Sequence, residues 1–138
     1  MAVTAYLLDK SVLARVDKPA VAAALMPYLG RLATCSTVLL ELGWSATSSQ
    51  HYDQMMGDLG WYQSLEINQD TLTLALNLQR ELVARGHHRG PGVADLVLAA
   101  TAIAHSAAVL HYDRDFDLIG QIDPRFVHRW IVPRSTAD

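Results

Sequence analysis

A single cysteine, Cys35, leaves this 138-residue chain without an intrachain disulfide or a cysteine-based zinc site. That scarcity fits a reducing compartment. Cys35 stands in an apolar run and reads as a small buried residue rather than a functional thiol. No apolar stretch reaches the length of a membrane span, and no basic segment precedes the short apolar run at the N-terminus. Neither a signal peptide nor an anchor is expected, so the chain reads as cytoplasmic, with no membrane partner. An excess of positive charge is also missing. The formal net charge is −3 and the pI near 6.0, which argues against bulk electrostatic binding of nucleic acid but leaves room for a local basic groove. Repeats, linkers and low-complexity tracts are absent too. With 51% hydrophobic and 18% charged residues, the chain describes one ordered domain over 1–132, followed by a fraying tail over 133–138.

What is present is an alternation of short strand-like runs and helices. Val3-Thr4-Ala5-Tyr6-Leu7-Leu8-Asp9 is too short for a helix, rich in strand formers, and stops at an aspartate. Further strands are expected at 32–35, 61–67, 109–112 and 126–132. Between them lie helices at 19–29, opened by Pro19 and closed by Gly30, and at 37–48, 52–60, 68–86 and 93–105, with a short one after Asp115. The Ala-rich, nearly uncharged helix at 93–105 implies burial on most sides. Such alternation indicates an α/β fold with a central parallel sheet of four to five short strands flanked by helices.

The acidic residues each have an ordinary reading. Asp9 could cap the helix after its strand, Asp95 could be an N-cap, and Asp113 and Asp115 could make a turn and cap. Asp117 is expected to face solvent. Glu41 is harder to set aside, because it interrupts Val38-Leu39-Leu40-Glu41-Leu42 on the face that carries Val38 and Leu42. Together they change the reading. Asp9 and Asp113 end two strands, Asp95 begins a buried helix and Glu41 lies one turn into another, and in a parallel sheet these places share one edge. Carboxylates gathered there repel unless a cation is present, and oxygen-only ligands select Mg²⁺ or Mn²⁺. Such ions serve phosphodiester hydrolysis.

Four motifs in this order and spacing carry a resemblance: Tyr6-Leu7-Leu8-Asp9-Lys10-Ser11, Leu40-Glu41-Leu42-Gly43, Asp95-Leu96-Val97-Leu98-Ala99-Ala100-Thr101-Ala102 and Leu110-His111-Tyr112-Asp113-Arg114-Asp115-Phe116. Across essentially its whole length the chain resembles PIN-domain ribonucleases, specifically the VapC-type toxins of bacterial toxin–antitoxin pairs. The resemblance implies a PIN-domain-like sandwich and a catalytic and metal-binding quartet of Asp9, Glu41, Asp95 and Asp113. It adds Asp115 as a fifth ligand or supporting group, with Ser11 ordering the pocket. It further implies Mg²⁺-dependent cleavage of structured RNA, such as tRNA or rRNA, leaving a 5′-phosphate and a 3′-hydroxyl. A homodimer and a VapB-like antitoxin complete the implied partners. One residue departs from the family pattern: Lys10 stands where threonine is frequent. Side chains adjacent on an extended segment diverge, so Lys10 is expected to point away from the pocket; the alternative is an inward lysine that competes with metal or contacts the scissile phosphate of the RNA.

Arg85, His87, His88 and Arg89, on or beside the loop Gly86-His87-His88-Arg89-Gly90-Pro91-Gly92, and Arg114 beside Asp113, are the candidates for positioning RNA. An ordinary solvated connection is the other reading of that loop. His87 and His88 lack the helical spacing of a metal-ligand pair. His105 and His111 read as packing or surface residues, and Trp44, Trp61 and Trp130 as core or interface. A haloacid-dehalogenase-type phosphatase is disfavoured because Ser11 stands where a second aspartate is needed. No glycine fingerprint for a dinucleotide follows the first strand. The remaining alternative is a catalytically weak or silent PIN-fold module that binds protein or RNA.

Overall fold

The computed structural model describes residues 2–138. Strands β1 (Tyr6–Leu8), β2 (Leu32–Thr34), β3 (Gln63–Ser64), β4 (Ala108–His111) and β5 (Val127–Trp130) form one sheet in the order β3-β2-β1-β4-β5. Every pairing is parallel, with Leu7 opposite Ala33 on one side and Val109 on the other. Seven α-helices cover the sheet among the described residues: α1 (Lys10–Leu13), α2 (Pro19–Leu25), α3 (Ser36–Trp44), α4 (Ser49–Leu59), α5 (Gln69–Ala84), α6 (Val93–Ala104) and α7 (Asp115–Ile122).

Period-two alternation divides the core between the two faces. Leu7 and Val109 join the cluster under α3, α5, α6 and α7, while Tyr6, Leu8, Ala108 and Leu110 join the cluster under α1 and α2. Both faces are therefore dry, which is why β1 and β4 read as continuous apolar runs. Each fully buried leucine or valine contributes roughly 1.5–3 kcal/mol. Seven consecutive residues of α6, Leu96 to Ala102, are buried, as its composition implies. The chain winds outward from β1 first to β2 and β3, then to β4 and β5. The winding reverses between β1 and β4, and the carboxyl ends of those two strands form the crevice where such sheets place ligands.

Several elements differ from the sequence expectation. Helix α2 ends at Leu25 and gives way to a 3₁₀ turn, Met26–Tyr28, because Pro27 has no N–H to continue an α-helix. Helix α3 stops at Trp44, and Ser48 instead caps α4 by accepting the His51 N–H at 3.0 Å. The third strand shrinks from 61–67 to two exposed edge residues. Trp61 and Trp44 are each 90% exposed and so lie outside the core. The tail does not fray. Ala137 is buried, its N–H donates to the Tyr112 hydroxyl at 2.9 Å, and that hydroxyl donates to Asp138 Oδ1 at 2.7 Å. Arg15 completes the clasp with Nε on the Ala137 carbonyl at 3.0 Å and its guanidinium over the Tyr112 ring. No helix among the described residues is long and apolar enough to cross a membrane.

Candidate metal centre

Strand β1 delivers Asp9 directly into the crevice. Asp9 keeps an extended backbone and caps α1, with Oδ2 accepting the Ser11 N–H at 3.0 Å and the Ser11 hydroxyl at 2.5 Å. The same hydroxyl oxygen accepts the Tyr112 N–H at 2.8 Å, so Ser11 joins the end of β1 to the exit of β4. Capping and site membership are thus not alternatives for Asp9. The residue is 2% exposed. Burial, above all, raises its pKa, the Ser11 bonds oppose that, and the charges of Glu41 and Asp113 add to it.

Asp113 follows β4, and its Oδ1 accepts the Asp115 N–H at 2.9 Å. Asp95 is the third residue of α6 rather than its cap; Gly92 occupies that position, and Asp95 Oδ2 reaches back to the Gly92 N–H at 2.9 Å. Carboxylate oxygens of Asp95, Asp113 and Asp115 all lie within 4.8 Å of one another. Burial and the neighbouring Asp9, Asp113 and Asp115 push the Asp95 pKa up to about 7, against the pull of the Gly92 amide. Asp115 is also raised, by burial and then by Asp113, with Arg114 opposing.

Glu41 stands outside that three-carboxylate group, on α3, where Val38 anchors the buried face. The Lys10 ammonium sits 3.0 Å from Glu41 Oε2. Lys10 therefore does not point away. As the first helical residue after the Asp9 cap, it no longer belongs to an extended segment, and the turn carries its side chain back across the pocket rim. Glu41 holds its pKa above the usual lysine value.

The proposed RNA-positioning arginines separate. Arg114 abuts Asp115, and Arg89 is exposed on the glycine-rich loop. Arg85 turns aside, with Nη1 on the Gln121 carbonyl at 3.2 Å. The loop is more than a connection. A Cβ at Gly90 would lie 2.9 Å from Leu118 Cδ1 and 3.3 Å from Asp115 Oδ1, so its backbone runs directly against the acidic cluster.

A PIN-domain family model matches residues 3–121. Ribonuclease VapC51 of Mycobacterium tuberculosis is 38% identical over 135 residues, spanning 96% of this chain and 97% of its own. The chain is a PIN-domain protein of the VapC family. Ribonuclease VapC21 of the same organism is 39% identical over 141 residues, covering 97% of this PIN domain and 99% of the relative. The fold also matches a DNA-bound VapBC structure from Salmonella typhimurium, with a TM-score of 0.75 at 18% identity over 93% of this chain and 98% of that one.

The donor set of this PIN domain fits a hard divalent cation. The converging atoms are carboxylate oxygens only, and the raised pKa values of Asp95 and Asp115 record desolvation and repulsion that a cation would relieve.

Sequence reasoning did not find the support beneath Asp113. His111 is fully buried among Phe116, His128 and Trp130, a packing residue as expected, and its Nδ1 accepts the Asp113 N–H at 3.2 Å. A backbone amide can only donate, so Nδ1 carries no proton. Nε2 then donates to His128 Nδ1, 2.9 Å away. Burial, followed by the charge of His128, pushes the His111 pKa down to about 3. Asp117, expected to face solvent, keeps a side chain 42% exposed and also accepts the Trp130 indole N–H at 3.1 Å beside His128. His111, Asp117 and His128 crowd within 4.8 Å, yet this is no second metal site, because the Asp113 amide holds the His111 proton on the nitrogen that would ligate. A histidine inside the apolar run Val109-Leu110-His111 was the available signal: buried there, it must find partners.

Proposed function

We propose that this protein is a Mg²⁺-dependent endoribonuclease, with Mn²⁺ able to substitute. In this reading it is the toxin of a two-component pair, cleaves structured RNA such as tRNA or rRNA in the cytoplasm, and is neutralised by a VapB-like antitoxin. The observation that carries the reading is the convergence of Asp95, Asp113 and Asp115 at the β1/β4 crevice beside Asp9, with Asp95 pushed up to about 7. Support for the substrate comes from the relatives named ribonucleases, and for the partner from neighbours titled as VapBC complexes.

Asp95, Asp113, Asp115 and Asp9 would hold the ion, which when bound supplies Lewis acidity to the phosphodiester and lowers the pKa of water. The chain's own residues do the rest. Ser11 fixes the Asp9 carboxylate, the Asp115 N–H donates to the Asp113 carboxylate, and the His111 imidazole accepts the Asp113 backbone N–H. Arg89 and Arg114 place positive charge around an acidic pocket in an acidic protein, where a polyanionic substrate needs local compensation. Water adds to phosphorus and the 3′-oxygen departs with a proton. Exposed Leu40, Trp44 and Val93 line one apolar surface suited to the antitoxin or to a second copy of the chain.

The test is cleavage of purified tRNA and rRNA with Mg²⁺ or EDTA, beside Asp95→Ala. Loss of a principal ligand should lower activity at least about 100-fold. Cleavage that survives EDTA or the substitution overturns the reading. A silent binding module is the second reading, favoured by the Lys10–Glu41 ion pair, which occupies one of the acidic residues. RNA binding without cleavage in the same assay would select it.

A further inference from the structure

We propose that the Lys10 ammonium is the resident cation of the Glu41 side of the crevice, so that the site takes one divalent ion, at the Asp95–Asp113–Asp115 side. The inference rests on the metal-dependent reading above and fixes its metal count.

The carboxylates are not equivalent. Three of them, Asp95, Asp113 and Asp115, bring oxygens within 4.8 Å of one another, and Glu41 is not a member of that group. Glu41 Oε2 is instead 3.0 Å from Lys10 Nζ, and Asp9 Oδ2 is taken up by the Ser11 N–H and hydroxyl. A second divalent ion would need Glu41 as a ligand, and to reach it would have to displace the ammonium.

The strength of the ion pair alone would not prevent this. Lys10 is 56% exposed and Glu41 19%, and a pair so placed is weak. Tethering decides the balance. Lys10 follows Asp9 directly and starts α1, so its ammonium stays beside Glu41 at a local concentration that a free ion at millimolar levels does not match. Mg²⁺ also gives up its water reluctantly, and a second ion would face the charge of the first as well as that of Lys10. An ammonium has three N–H donors; with one on Glu41, two remain for a phosphate oxygen, as an ion in that position would have offered positive charge. Lys10 thus neutralises the Glu41 side without a metal.

Mn²⁺ binding to the full chain, counted by titration calorimetry and by electron paramagnetic resonance of free ion, tests this without reference to activity. The wild-type protein should bind one Mn²⁺ per chain up to about 1 mM, Lys10→Met should bind two, and Lys10→Arg should return to one. Glu41→Gln should leave the affinity of the single ion within about threefold, whereas Asp95→Asn should weaken it at least tenfold. Two ions in the wild type, or one in a folded Lys10→Met protein, overturn the proposal while leaving the metal-dependent reading intact. If Lys10→Met does not fold, Glu41→Gln still decides: a loss as large as that of Asp95→Asn makes Glu41 a ligand and overturns the proposal. No bound Mn²⁺ in the wild type overturns the metal-dependent reading itself.

Discussion

At the scale of single residues, the site depends on groups that never face the crevice. His111 is the sharpest case, because one ring nitrogen holds the Asp113 backbone and the other holds His128. His111→Phe keeps the aromatic packing against Phe116 and Trp130 but cannot accept the Asp113 N–H. The half-buried amide then loses its protein partner, at a cost of about 1 kcal/mol. Chemical denaturation at pH 7.5 should show this as a lower midpoint with an unchanged slope. RNA cleavage should fall roughly tenfold as Asp113 loses its fixed position. Wild-type stability in His111→Phe would mean that the hydrogen bond contributes nothing to the fold. The substitution leaves every carboxylate in place, so it separates support from ligation.

At the scale of elements, what could be read from the sequence followed the hydrophobic pattern. The runs ending in Asp9 and preceding Asp113 exposed both strands, and the uncharged stretch Leu96 to Ala102 exposed the buried helix. Asp9, Asp95 and Asp113 were legible because the end of a buried parallel strand, or the start of a buried helix, has a known place in the crevice. The direction of Lys10 was not legible. It depends on whether Asp9 is the last residue of a strand or the cap of a helix, and capping turns the next side chain back toward Glu41. The tail was misread because its polar composition resembles a frayed end, while its docking depends on Tyr112, a residue 25 positions away. Removing 135–138 would strip the Tyr112 hydroxyl of both partners and take the Ala137 carbonyl from Arg15. The truncated protein should lose roughly 1–3 kcal/mol in urea denaturation and show raised proteolysis near α1. Unchanged stability would mean the clasp is ornamental to the fold.

At the scale of the whole molecule, the pH dependence of metal-free stability follows two opposed sets of groups. Asp95 titrates near 7 in the fold against 3.8 when unfolded, so its contribution is complete below pH 3.8 and is lost as pH rises through 7. Asp9 and Asp115 push in the same direction. His111 titrates near 3 in the fold against 6.5 unfolded, so its contribution is complete above pH 6.5 and is lost as pH falls toward 3. His128 follows it. Between about pH 4 and 6.5 the folded protein carries the extra proton on Asp95 and the unfolded chain carries it on His111, so the two slopes cancel, each being at most about 1.4 kcal/mol per pH unit before solvent screening. Wild-type stability in EDTA should therefore change less with pH over that range than that of a variant lacking either group. Asp95→Asn, which can still accept the Gly92 N–H, should make stability rise with pH, and His111→Phe should make it fall. A bound divalent ion keeps the carboxylates ionised in the fold, so Mg²⁺ should raise Tm more at pH 8 than at pH 5.5, where it competes with protons. Parallel pH profiles for the two variants would show that these groups do not carry the linkage, and an equal Tm shift at both pH values would show that the ion does not bind at Asp95.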